Sequence, residues 1–230
     1  MTVKSKYCAD NQLENLKESL LITVGKMLSE NGKKKITDMS DKDFFNYIVK
    51  FLISEHSIIS NIEIRIVDQM DKNIRNQIVR HTKGRPRFYC QSSRPDWNNG
   101  QQRDPNQKTF NILDWNAEAF REMTRQRLCY RTEKNTRQWI EKVLNDLFND
   151  GYINDGLQHH DHVLLNAVCF CAVPNCVYRF GCPEVNGCDW FENNFFGKIN
   201  SRGENIINRY LLYHKMMGRD FSNYLKEEKN

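Results

Sequence analysis

Long hydrophobic runs are missing from this chain of 230 residues. Its apolar stretches last only a few residues, far short of the roughly 20 a membrane-spanning helix needs. The opening Met1-Thr2-Val3-Lys4-Ser5 carries no apolar block, so neither export nor a membrane anchor is expected and a cytoplasmic place is. Internal repeats and low-complexity tracts are also absent. An excess of one charge is small: 34 Lys and Arg against 29 Asp and Glu leave +5, far from the balance of a histone-like nucleic-acid binder. No Cys-x-x-Cys occurs among the eight cysteines, which removes the usual zinc-knuckle signature. Without an export signal those cysteines read as thiols or ligands more readily than as a disulfide framework. What is present, 39% hydrophobic and 27% charged residues, is the composition of one globular domain spanning 1–230.

The pattern along the chain is α+β, a small antiparallel sheet with long helices. Apolar residues recur at helical spacing from Leu13 to Leu28, with Gly25 and Gly32 weakening and then ending the helix. Ser40 followed by Asp41 and Asp43 reads as a helix cap, and Phe44, Ile48, Phe51 and Leu52 as the buried face behind it. From Asn61 to Val67, Ile62, Ile64 and Ile66 alternate with charged residues, which predicts a half-buried strand. Ile74, Ile78 and Val79 predict a short helix running into Arg80-His81. Residues 96–108 read as an exposed loop. Asp114 to Asp150 reads as sustained helix, its stripe being Trp139, Ile140, Val143, Leu144 and Leu147, closed by Gly151 and Gly156. A helix from about His162 to Val173 is expected to stop at Pro174, and a last one to run from about Glu204 to Lys226.

Charge is unevenly placed. Lys72, Arg75, Arg80, Lys83, Arg85, Arg87 and Arg94 follow one another without an intervening acid. Such a run repels itself unless acids elsewhere or an anionic ligand compensate. It reads either as a solvated basic loop or as a phosphate grip, since Arg forks beside Ser92 and Ser93 suit bidentate capture. Arg121, Arg125, Arg127, Arg131, Lys134 and Arg137 form a second set. Arg121/Arg125 and Arg127/Arg131, four apart, should share helix faces and repel. Glu118, Glu122 and Glu133 offset part of this, so a solvated helix face is the plain reading and one shared anionic site the sharper one.

The order of these pieces resembles the flavin-dependent thymidylate synthases. Glu55-His56 precedes a strand, Gln77-Ile78-Val79-Arg80-His81 follows, then Gln91-Ser92-Ser93-Arg94. Asn116-Ala117-Glu118-Ala119-Phe120, continuing to Arg127 and Arg137, is similar to the family's Asn-Ala-Arg-Ser-Leu helix. The resemblance covers roughly His56 to Leu147. It implies a transferase, a methyltransferase and flavoprotein of dTMP biosynthesis, converting dUMP to dTMP with methylenetetrahydrofolate as one-carbon donor, FAD as cofactor and NADPH as reductant. It implies that His56, Arg80, His81 and Arg127 hold the flavin, and that Gln77, Arg80, Ser92 and Arg94 grip the pyrimidine deoxynucleotide. Arg137 would polarise the uracil ring, with Ser92 and Arg94 beside it in the catalytic set, in a homotetramer whose sites draw on several subunits. No protein nucleophile is required; the protein supplies charge complementarity, which arginines provide.

This chain departs from the family pattern in places. Thr82 stands where the family repeats Arg, and a short insertion holding Pro86 lies before Arg94. Cys90 stands where many members have Glu, and Arg131-Thr132-Glu133 replaces His-Ala-Gln. The span from Arg94 to Asn116 is shortened, leaving Lys108 as a weak substitute for a family arginine. A hydroxymethylase of dUMP or dCMP, a nucleic-acid-binding module and a Cys-ligated metal protein are the rival readings. No metal is assigned, though Cys176, Cys182 and Cys188 are candidate thiolates in a turn-rich segment. Cys169 and Cys171 read as small core residues, His159-His160-Asp161-His162 as a solvated cap, and Cys90 as a nucleophile only if nearby arginines favour its thiolate. The abundance of Asn, Lys and Ile suggests an AT-rich genome, bacterial or viral.

Overall fold

Isoleucines alternating with charged residues after Asn61 make a strand with two unlike faces, and the fold is arranged around it. The computed structural model of the chain describes residues 4–7, 16, 19, 38–81, 83, 86–92, 100, 108–149, 159–196, 198 and 205–225. The sheet is antiparallel throughout, with β1 (Lys4–Tyr7), β2 (Glu63–Met70), β3 (Arg87–Cys90) and β4 (Thr109–Asn116) in the order β1-β2-β4-β3. Register sets Ile64 against Trp115 and Ile66 against Leu113 on the buried face. On the other face Asp114 sits between Arg65 and Arg87. It accepts from Arg65 Nε at 2.6 Å and Nη2 at 2.9 Å, with Arg87 Nε at 3.8 Å.

The first two helices follow the sequence pattern. Ser40 caps α1 (Asp41–Ile53) by accepting from the Asp43 N–H at 3.2 Å, and Phe44, Ile48 and Leu52 are buried as expected. Phe45 and Val49 are buried too, because α1 packs against more than one neighbour. Phe51 is only half-buried. Helix α2 (Lys72–Ile78) buries Ile74 and Ile78. Of the expected helix at 13–28, Leu16 and Ser19 are helical and the rest lies outside the described residues, as does most of 96–108.

The long helix expected from Asp114 to Asp150 is corrected. Residues 109–116 are strand, with Thr109, Asn111, Leu113 and Trp115 turned inward. Helix begins only at Ala117, where Asn116 Oδ1 accepts from the Ala119 N–H at 2.8 Å. Helix α3 (Ala117–Arg127) ends at Leu128, and α4 (Lys134–Phe148) starts afresh with Glu133 accepting from the Asn135 and Thr136 N–H groups. Arg127 and Arg131 therefore do not share a helix face. The Glu133 cap outcompetes continuation because it satisfies two N–H groups that a helix start leaves open.

Helix α5 (His159–Cys171) occupies the middle of the molecule. Val163 to Val173 are all buried, so its apolar residues face every direction and show no stripe. Small residues there (Ala167, Cys169, Cys171, Ala172) allow close approach, and Cys169 Sγ donates to the Leu144 carbonyl. The core reading of Cys169 and Cys171 holds. Pro174 then precedes α6 (Asn175–Arg179), α7 spans Trp190–Phe195 and α8 spans Ile206–Met216. The last helix stops well before Lys226 because Gly218, at φ 78°, reverses the chain and lets Arg219 N–H return to the His214 carbonyl. Arg219 is buried and donates to Glu141, Asn145 and His214 Nδ1, while His214 Nε2 donates to the Phe170 carbonyl. Among the described residues no helix is long and apolar enough to cross a membrane.

A buried polar contact joins sheet and helices, Trp139 Nε1 donating to Asp68 Oδ2 at 2.7 Å. Replacing Trp139 by Phe keeps most of the ring but leaves a buried carboxylate without that donor. Trp139→Phe should cost about 1–3 kcal/mol in urea unfolding, with unchanged far-ultraviolet circular dichroism.

Candidate functional site

Arg121 and Arg125 are one turn apart on α3 and are 2% and 5% exposed. The solvated helix face expected for them is thus overturned. What neutralises them is Glu55, which sits between α1 and the 3₁₀ turn Ser57–Asn61 in the left-handed region at φ 58°. Its Oε1 accepts from Arg125 Nη1 at 2.6 Å and from the Tyr178 hydroxyl at 3.0 Å, and lies 3.6 Å from Arg121 Nη2. Glu122 adds a contact to Arg125 at 3.0 Å. Arg121 also donates to the Leu52 carbonyl, and the Arg125 guanidinium lies 3.5 Å over the Tyr178 ring. Burial alone would raise the Glu55 carboxyl, but the Arg125 and Tyr178 hydrogen bonds and the Arg121 charge hold it below its ordinary range. Sequence reasoning used Glu55 only as a motif letter, because no local pattern says which distant guanidiniums it will meet.

Beyond this network the helix turns Arg127 toward residues just after α2. Arg127 Nε donates to His81 Nε2 at 2.7 Å. Burial and then the Arg127 charge push the imidazole down from 6.5 to about 4, so it is neutral at physiological pH and accepts through Nε2. Arg127 is itself lowered by burial and by the nearby Arg80. Among the described residues neither Arg80 nor Arg127 has an acidic partner. Some other cations of the two basic sets have acidic neighbours: Lys83 lies 3.7 Å from Glu122, and Arg87 lies 3.6 Å from Glu63. Gln77 and Arg127 line a cavity of about 600 Å³ that also includes Arg125 and Tyr130. Gln77 and Arg127 thus line one cavity, His81 is hydrogen-bonded to Arg127, and the Arg80 charge acts on Arg127.

Other expected site residues are placed differently. His56 caps the 3₁₀ turn, its Nδ1 accepting from the Ile58 N–H at 3.4 Å, with its ring against Phe51. Ser92 is half-buried just beyond β3, whose end is tied to β4 by Gln91 N–H donating to the Phe110 carbonyl. Arg94 lies outside the described residues. Arg137 is in the first turn of α4, donates to the Tyr130 carbonyl at 3.0 Å and lies 4.3 Å over the Tyr130 ring. Tyr130 lines the cavity; it in turn stacks on Trp190 at 4.4 Å.

Cys176, Cys182 and Cys188 line the same cavity, joined there by Cys129, which sequence reasoning missed. Burial first, and then the neighbouring Cys129, Cys182 and Cys188, raise the Cys176 thiol to about 12. As the side chains stand, no three Cys, His, Asp or Glu among the described residues are grouped as metal ligands. His162 bonds Asn166 at 3.0 Å. The Cys90 thiol is raised by burial, against a smaller opposing effect of Arg75, so the arginine-activated thiolate is not formed. Phe88 packs on Trp115, whereas Tyr89 is exposed on the opposite face of the sheet.

Two predictions follow the two charge clusters. Glu55→Gln removes the anion shared by two buried guanidiniums; because Glu55 is itself partly solvated and Glu122 still reaches Arg125, it should cost about 1–3 kcal/mol in denaturant unfolding. For His81, the unfolded chain takes up a proton near 6.5 and the folded chain only near 4, so stability is progressively lost as pH falls through that window. His81→Gln keeps an acceptor for Arg127 without the titration. Comparing urea midpoints at pH 7 and 5 should show a smaller drop for this variant than for the native chain.

Compared with known proteins in sequence and in fold, the chain matches no family model, no curated protein and no solved structure.

Proposed function

We propose that the chain is a flavin-dependent thymidylate synthase-like methyltransferase acting on dUMP, with methylenetetrahydrofolate as one-carbon donor and NADPH as reductant. The observation that carries this reading is the Arg127–His81 hydrogen bond, formed across 46 residues of chain beside a cavity that Arg127 shares with Gln77, with the Arg80 charge acting on Arg127. Two neighbouring cations without an acidic partner repel, and a diphosphate placed against them relieves that repulsion. The residues thus fit the phosphates of FAD. His81 takes the Nε proton of Arg127 in a hydrogen bond and so fixes the guanidinium plane, leaving its two Nη groups to donate.

When bound, FAD supplies the hydride chemistry, and the remaining work belongs to the protein. Arg80 and Arg127 would neutralise phosphate charge, and His56 would have to reach the flavin from its cap on the 3₁₀ turn. Gln77, Arg80, Ser92 and Arg94 hold the nucleotide. Arg137, kept planar over Tyr130, draws electron density toward the carbonyl and imide edge of the uracil. A guanidinium stays protonated at any working pH, so this polarisation does not depend on a proton. A homotetramer completes the sites.

The test uses purified protein titrated with FAD and with dUMP. FAD should bind with a change in its visible bands, and dUMP should raise the thermal midpoint. Arg127→Ala should weaken FAD binding by about 1.5–3 kcal/mol. Arg137→Lys retains charge but loses the fork, so turnover should fall by about two to three decades while nucleotide affinity falls less. Absence of FAD uptake with and without dUMP, or stronger protection by oligonucleotides than by dUMP, overturns the reading.

A further inference from the structure

Four cysteines from three separate segments face one cavity. Cys129 lies in the connector between α3 and α4, Cys176 in the first turn of α6, and Cys182 and Cys188 in the loop between α6 and α7. All are free thiols. All four line the cavity that Tyr130 and Trp190 also line. Three features hold the segments in this relation. Arg131 donates to the Asn186 carbonyl, tying the Cys129 connector to the loop. Tyr130 and Trp190, neighbours of Cys129 and Cys188 in sequence, stack at 4.4 Å with 15° between their planes. Gly181 N–H returns to the Cys176 carbonyl at 2.9 Å. Within the loop, Gly187 approaches Cys182 so closely that a Cβ there would lie 3.3 Å from Cys182 Cβ and 3.5 Å from its Sγ.

The loop that brings Cys182 and Cys188 has little else to hold it. Residues 183–189 are all exposed, Val185 completely, and no regular secondary structure runs through them. A segment that buries so little apolar surface does not offset its own ordering entropy by packing. A cross-link does so instead, and a set of four sulfur donors selects a soft ion over magnesium or calcium.

We propose that Cys129, Cys176, Cys182 and Cys188 bind one Zn²⁺ as a structural tetrathiolate centre that fastens the 182–188 loop to the α3–α4 connector. This goes beyond the proposed methyl transfer and does not depend on it. Because the sulfurs are not yet grouped around one point, binding draws Cys182 and Cys188 inward, a movement the exposed loop accommodates. The step is ligand exchange without redox change: each thiol releases its proton to solvent as its sulfur bonds to the ion, and the ion loses its waters. With all sites filled there is no open position, so the ion is structural rather than catalytic.

The full chain, reduced and stripped of metal with a chelator, is titrated with Zn²⁺ in competition with a chromophoric chelator and, separately, with Co²⁺. The expected result is one ion per chain, with proton release. Co²⁺ should give the intense sulfur-to-cobalt charge-transfer band and the visible bands of tetrahedral thiolate coordination. Zn²⁺ should also raise the thermal midpoint. Cys188→Ser, at an exposed position that leaves the core intact, and Cys182→Ser should each weaken Zn²⁺ binding by more than about tenfold. Cys90→Ser, outside the cluster, should leave it unchanged. No Zn²⁺ uptake, a Co²⁺ spectrum without sulfur charge transfer, or native affinity in Cys182→Ser and Cys188→Ser overturns the proposal. So does a brown protein carrying iron and sulfide, which would assign the thiols to a cluster instead. FAD and dUMP binding is measured on the same samples, so loss of Zn²⁺ and loss of the nucleotide site are read independently.

Discussion

Two guanidiniums buried one helical turn apart are the constraint on which the arrangement of this protein turns. Like charges at that spacing destabilise a helix, and burial makes the repulsion worse by removing solvent. Arg121 and Arg125 remain charged because Glu55 meets them from outside the helix, helped by Glu122 and Tyr178. Glu55 reaches that place by adopting a left-handed backbone that a residue with a Cβ tolerates only at a cost. One carboxylate oxygen thereby links the end of α1, the whole of α3 and the short α6. The direction of α3 is set by that link, and Arg127 at its far end is delivered to His81.

A second network works in the same way on the other side of α5. Arg219 donates through Nε to His214 and through Nη1 to Glu141 and Asn145, and the Tyr213 hydroxyl donates to Glu141, while Arg219 Nη2 is buried without a hydrogen-bond partner among the described residues. Burial and the Arg219 charge keep His214 neutral, with the Phe170 carbonyl accepting from its Nε2. Between these networks α5 offers only apolar atoms and thiols, with Asn166 as its buried polar exception. The polar groups thus specify which helices meet, while the surrounding apolar surface supplies most of the driving force for burial.

The cavity beside Arg127 inherits features from both sequence halves. Its cationic side comes from the end of α3 and its sulfur side from the connector and the loop after α6. A flavin-binding reading draws on the first side and a zinc reading on the second, and they use different atoms. Tyr130 stands between them, under Arg137 and against Trp190.

Local signals settled much of the secondary structure. The Ser40 cap, the isoleucine alternation of β2, the Trp139 stripe of α4 and the apolar run of α5 each rest on neighbours within a few residues, so their physics is written in the sequence. The strand at 109–116 escaped because its alternation is inverted in residue type, with polar Thr109 and Asn111 inward and apolar Phe110 and Ile112 outward, and because Asp114 is buried by arginines of neighbouring strands. The hydrogen bond between His81 and Arg127 was made only by the tertiary structure. Which arginines are neutralised, which remain without an acidic partner, and that Cys129 joins Cys176, Cys182 and Cys188 were decided only by the fold. Electrostatic compensation depends on distance in space, and residues 46 or 70 positions apart carry no local mark of the partner they will meet.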